Sequence, residues 1–113
     1  MLTIEELKKF GADVDTGLAR CMNNETLYFR LIEMAVREPS VIVLGEKIKA
    51  GDFDGAFGEA HKLKGVMGNL SLTSIFEPVS QLTELLRNKT PGDYTNIYSE
   101  ILKKTEALKI LLG

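Results

Sequence analysis

The chain has one histidine, His61, and a lysine, Lys64, stands three residues after it. A neutral imidazole nitrogen is a nucleophile near neutral pH. A lysine one helical turn away adds positive charge beside any anion that the ring takes up. Glycines surround the pair at positions 55, 58, 65 and 68. The stretch from Asp52 to Leu72 otherwise reads as a helix, in which each interior glycine costs about 1 kcal/mol relative to alanine. Place His61 at zero on a helical step of about 100° per residue. Gly68 then falls at about −20°, Gly65 at about +40°, Gly58 at about +60° and Lys64 at about −60°. Ala60, Leu63, Val66, Met67 and Leu70 fall on the other side, as an apolar stripe suited to a core. The outward side is a histidine, a lysine and bare backbone, flat enough for another macromolecule to reach the ring. A phosphoryl group suits this set. It bonds to an imidazole nitrogen, its dense negative charge is partly offset by Lys64, and the bare backbone admits the active site of a donor.

Other chemistries fit poorly. One histidine and one cysteine, Cys21, stand forty residues apart with no metal-ligand spacing around either. The Asp13-Val14-Asp15 start fails as a calcium loop, because Leu18 stands where glycine is required and Asn24 where the closing glutamate belongs. Cys21 lies on an apolar helical line and reads as a packed core thiol. Glu5, Glu6 and Glu33 read as solvated faces. The glycines at 58, 65 and 68 lie within a helix and not between a strand and a helix, so no nucleotide loop is expected. They could instead let another helix pack closely, but the opposite stripe already serves as the core side.

The elements that must hold His61 follow from the rest of the chain. Its 113 residues make one domain, 1–113, and a hydrophobic content of 44% argues against disorder. A formal net charge of −2, without a basic run, argues against nucleic acid or a membrane surface as partner. Met1 leads straight into an amphipathic, acidic segment, so no signal peptide is read. No apolar run approaches the ~18 residues of a membrane span. A lone cysteine forms no internal disulfide. These absences point to the cytoplasm. Helices are predicted over Ile4–Phe10, with a Thr3/Glu6 capping box and a stop at Gly11; over Val14–Met22 from Asp13; and over Glu25–Arg37 from Asn24. The Ser40–Ala50 segment contains the β-prone VIVL, but Val41, Leu44 and Ile48 repeat at helical spacing, and a lone strand would lack a partner. Asp52 caps the central helix. Thr73 is read as the cap of the next, which runs to about Asn88 through Pro78, or begins in regular form only near Glu77. Asp93 caps the last helix after the Thr90–Gly92 loop. Glu59 falls on the core side, at about 160° from His61, and needs either solvent or a basic partner.

Ala60-His61-Lys62-Leu63-Lys64-Gly65, followed by Gly68-Asn69-Leu70, closely resembles the phosphoacceptor motif of histidine-containing phosphotransfer (HPt) domains. That motif is an A-H-x-L-K-G core, then a glycine, often with Asn-Leu after it. The resemblance implies an all-α fold, an antiparallel four-helix bundle preceded by additional short N-terminal helices. It implies that His61 is the phosphorylated histidine and that Lys64 is the basic residue near the phosphoryl group. Gly65 and Gly68, with Gly58 on the same face, would leave room for a receiver domain. Lys62 would either contact an acidic partner or simply be solvated. The family often holds the second imidazole nitrogen with a polar side chain from the next helix. Counting without gaps suggests Thr83, with Gln81 and Glu84 as rivals. Ser71 departs from the pattern, standing where a glycine is common.

The implied function is that of a phosphorelay intermediate. It would carry a phosphoryl group on His61 between the receiver domains of response regulators, with a hybrid histidine kinase as a further partner. The chain would be a covalent carrier and not an enzyme. It would bind no cofactor, because the receiver supplies Mg²⁺ and most of the catalysis. A monomer is expected, docking one partner at a time, with Ile4, Leu7 or Phe10 adding apolar contact. Two alternatives stand beside this reading: a helical adaptor that binds receivers without being phosphorylated, and an excised phosphoacceptor domain of a larger kinase. Met1 and the well-formed last helix favour a free-standing chain.

Overall fold

Most of the helices begin where a side chain replaces a missing backbone partner. The computed structural model describes residues 2–113. Helix α1 (Ile4–Phe10) opens with a reciprocal pair: Glu6 N–H donates to Thr3 Oγ1 and Thr3 N–H donates to Glu6 Oε1, each at 3.1 Å. It stops at Gly11, whose φ of +111° suits glycine. Asp13 starts α2 (Val14–Arg20), Asn24 starts α3 (Glu25–Val36), Asp52 starts α5 (Phe53–Asn69) and Asp93 starts α7 (Tyr94–Leu112), each accepting a backbone N–H three residues on. Helix α4 (Ser40–Ala50) follows Pro39 and ends at Gly51, with φ +74°. Its VIVL run is helical, and no strand occurs among the described residues. Among them, too, no helix is long and apolar enough to cross a membrane.

Besides α3, which ends at Val36 and not at Arg37, two boundaries differ from the sequence reading. Helix α2 ends at Arg20, because Met22 and Asn23 turn to φ +55° and +57°. Thr73 is the first residue of α6 (Thr73–Arg87) and not its cap; Leu72 precedes it and supplies no side-chain bond. Pro78 lies inside α6 and has no N–H for the carbonyl of Ser74, four residues back. Lys104 of α7 fills the gap, its Nζ donating to Ser74 O at 3.0 Å.

Helix α5 packs between α4 and α6; α7 lies against α6, α4 and α3. The apolar stripe of α5 is the centre of this arrangement: Ala60, Leu63 and Met67 are wholly buried, among Ile32, Leu44, Ile75, Leu82, Ile101 and Leu108. Leu7 is buried with them, so it belongs to the core and is not free to meet a partner; Ile4 and Phe10 are half-buried. Glu59 is half-buried, and its Oε2 is enclosed without a hydrogen-bond partner among the described residues. That oxygen has neither the solvent nor the base that the sequence called for, and its desolvation opposes folding.

The short N-terminal helices are tied to the far end of α5. Asp13 N–H donates to Ser71 O at 2.9 Å and Ser74 N–H to Gly11 O at 3.1 Å. Tyr28 of α3 is fully buried and donates from Oη to Leu70 O at 2.7 Å. Gly17 makes room for that ring, since a Cβ there would collide with the phenol. Burial, and then the nearby Cys21 and Asp13, push the Tyr28 hydroxyl from its usual 10 up to about 12. The unfolded phenol therefore ionises first as pH rises. Stability from this group is complete below pH 10 and falls toward pH 12, by about 1.4 kcal/mol per unit at most. Tyr28→Phe should cost about 1 kcal/mol near neutrality, by leaving Leu70 O unpaired. The same variant should flatten the alkaline decline. Urea unfolding at a series of pH values reads both effects.

Candidate functional site

His61 lies near the middle of α5 with its side chain exposed. Its ring rests against Phe57, one turn earlier, with centroids 5.8 Å apart. Lys64, one turn later, is half-buried, and its Nζ lies 3.5 Å from Oε1 of Glu84 on α6. Arg87 Nε approaches the same oxygen at 3.4 Å, while the Arg87 guanidinium stands 5.0 Å over the Phe57 ring. Helical spacing brings these groups together: Phe57, His61 and Lys64 share one face of α5, and Glu84 and Arg87 one face of α6.

The glycines divide into two kinds. A Cβ at Gly58 or Gly65 would meet nothing within 4 Å, and both positions are exposed. Internal packing therefore asks for neither. Gly68 is half-buried, and a Cβ there would come within 3.0 Å of the Phe76 ring, so its small size serves the contact between α5 and α6. Gly55 leaves space for the capping carboxylate of Asp52, whose Oδ2 would lie 2.5 Å from a Cβ. That carboxyl is held below its ordinary range by the Gly55 N–H and then by Lys47.

Thr83 does not join the group. It is fully buried, and its hydroxyl donates to Val79 O at 2.7 Å within its own helix. Of the three α6 residues considered from sequence, Glu84 reaches the motif face, and it does so through Lys64. Gln81 is exposed. No hydrogen bond to the imidazole occurs among the described residues. Lys62 is exposed and in no ion pair among those residues.

Arg20 is the addition that sequence spacing could not supply. As the last residue of α2 it donates from Nη1 to Gly68 O at 2.6 Å, a second donor to a carbonyl near the end of α5 that already accepts from Ser71 N–H. Arg20, His61, Lys64, Gly65 and Phe76 line one open depression of about 440 Å³. Nothing local links position 20 to position 61. Phe57 and Arg87 were within reach of sequence reasoning: the first by counting one turn back from His61, the second by counting one turn on from Glu84. The chain as a whole carries a net charge of −2, yet the depression at His61 is lined by Arg20 and Lys64 and by no carboxylate among the described residues.

A larger hollow lies elsewhere. It measures about 660 Å³ between Asp52–Asp54 and the Lys89–Tyr94 segment, and no imidazole or thiol lines it. The depression at His61 is smaller and shallow, a form suited to a macromolecular face more than to an enclosed small molecule. Among the described residues no three His, Cys, Asp or Glu side chains cluster as a metal ion would require. No family model matches the chain, and neither does any curated protein or solved structure.

The two kinds of glycine should separate in stability. Gly58→Ala and Gly65→Ala should each stabilise the fold by about 0.5–1 kcal/mol, since the new methyl meets open space on a helix. Gly45→Ala should destabilise by about 1–3 kcal/mol, because its Cβ would come within 2.5 Å of the Tyr98 ring. Urea midpoints measure all three. Destabilisation at Gly58 and Gly65 would mean that the fold itself needs them.

Proposed function

We propose that this chain is a histidine-containing phosphotransfer protein, a covalent carrier in a phosphorelay. In this reading α4 to α7 form the antiparallel four-helix bundle of such domains, with the N-terminal helices packed on it. The observation that carries the reading is an exposed imidazole between two glycines that the fold does not need, with a lysine in the next turn. The motif from Ala60 to Gly65, which shares His61, Lys64 and Gly65 with that observation, also supports it. The protein works as a cytoplasmic monomer, and its partners are response-regulator receiver domains, one of which can belong to a hybrid kinase.

The chemistry is a transfer between two nucleophiles. A nitrogen lone pair of His61 forms the N–P bond to a phosphoryl group held on a receiver aspartate. The P–O bond breaks, and the carboxylate keeps its electron pair. The proton on the other ring nitrogen leaves to water. The reverse sequence hands the group to the next receiver. This chain contributes a positioned nucleophile, charge from Lys64, and a bare surface at Gly58 and Gly65 across which a receiver can close. Mg²⁺ belongs to the receiver, where it offsets the charge on the phosphoryl oxygens.

A phosphorylated receiver domain should transfer acid-labile, base-stable label to the chain. His61→Gln should accept none, and Lys64→Gln should accept it about tenfold more slowly, the worth of one charge-assisted contact. Gly65→Ala should slow transfer while leaving the fold at least as stable. Receiver binding without any uptake would support the adaptor instead, and label surviving in His61→Gln would sink the assignment.

A further inference from the structure

Glu84 stands between two cations that compete for one oxygen. Lys64 Nζ is 3.5 Å and Arg87 Nε 3.4 Å from its Oε1. All three side chains are partly exposed, so neither pair is strong alone. Their surroundings differ. Lys64 shares the depression of His61. Arg87 is braced over Phe57, and Phe57 touches the imidazole. His61, Phe57, Arg87, Glu84 and Lys64 thus form a chain of contacts across α5 and α6, whose two ends line the same depression.

A dianionic group on His61 would change the competition. It attracts Lys64 more strongly than a singly charged carboxylate does. If Lys64 were the sole partner of Glu84, that movement would leave the carboxylate unpaired. Arg87 already reaches the same oxygen, so Glu84 keeps a cation when Lys64 departs. A guanidinium suits this task, because it stays charged and can stack on an aromatic ring while donating to a carboxylate. We propose that Arg87 is a positioning residue of the phosphoryl site. It retains Glu84 and so frees Lys64 to turn toward the phosphoryl group on His61. The inference rests on His61 being the phosphoacceptor, and Arg87 itself touches no reacting atom.

Phosphoramidate, a small phosphoryl donor, allows a test without a protein partner. An imidazole nitrogen bonds the phosphorus, the donor P–N bond breaks, and the nitrogen leaves as ammonium with the proton that the ring gives up. Uptake rates are compared in the full chain and its variants, with urea midpoints confirming that each is folded. Arg87→Gln should slow uptake about two- to fivefold, the span available to a partly exposed pair. Arg87→Lys should recover part of the loss. Arg87→Gln should have no further effect once Glu84→Gln is present, nor once Lys64→Gln is present. Equal slowing by Arg87→Gln in the Glu84→Gln background overturns the proposal, as does a wild-type rate in Arg87→Gln alone. No labelling of His61 in the wild type overturns it together with the relay reading. Labelling by phosphoramidate but by no phosphorylated receiver defeats the relay alone, and the Arg87 comparison then still stands.

Discussion

Ala60, Leu63 and Met67 are wholly buried, and their burial is the constraint on which the rest of the structure depends. They fix the rotation of α5 about its axis. Once that stripe faces α4, α6 and α7, the residues on the opposite side of the helix have to face outward, and His61 is among them. Burying three such side chains contributes several kcal/mol, on the order of 1.5–3 kcal/mol each for the larger two. Two interior glycines at Gly58 and Gly65 oppose helix formation by about 1 kcal/mol each. The stripe outweighs them, so the chain can keep a bare outer face on a helix that intrinsic propensity alone would disfavour.

The second constraint acts at the end of α5. A helix leaves its last carbonyls without partners, and a long helix rich in glycine is prone to fray there. Arg20 meets Gly68 O and Tyr28 meets Leu70 O. The Asp13–Ser71 and Gly11–Ser74 backbone bonds then hold the turn that follows. Helices α1 to α3 thereby act on the candidate site without carrying His61. They fasten the end of the helix that does, and they bring one more cation to its face. The same principle explains Lys104, whose ammonium serves the carbonyl that Pro78 leaves open in α6. There a long basic side chain from another helix completes a backbone that Pro78 left short of a donor, whereas Arg20 adds a second donor to Gly68 O, which Ser71 N–H already reaches.

What could be read from sequence was whatever depends on local spacing. The Thr3/Glu6 box, the Asp and Asn caps and the outward rotation of His61 follow from offsets of three, four and seven residues, and the helices begin where those caps stand. The end of α2 was misread because Met22 and Asn23 adopt positive φ without a glycine to signal it. Thr83 was misplaced because it was counted from the motif and not from its own helix, where offsets of four from Val79 and three from Leu86 put it on the inward side. Its neighbours Val79, Leu82 and Leu86 form the buried line, and Thr83 falls beside Leu82 within it, spending its hydroxyl on Val79. Arg20 had no local signal at all, since its contact spans forty-eight positions. Gly68 was grouped with Gly58 and Gly65 on angle alone, and only the position of Phe76 separates it from them.

That separation bears on how the face should be understood. If all the glycines of α5 were needed for packing, they would say nothing about a partner. Gly55 and Gly68 are needed, by Asp52 and by Phe76. Gly58 and Gly65 are not, and they are the two that flank His61 by roughly one turn on either side. A side chain at either place would stand beside the imidazole and hold a large partner away from it. The cations nearby have a comparable distribution. Lys64 and Arg87 are both engaged with Glu84, so these two charges are partly screened. One carboxylate thus offsets part of the charge of two cations while His61 is bare, and one of those cations, Lys64, stands within a turn of the ring.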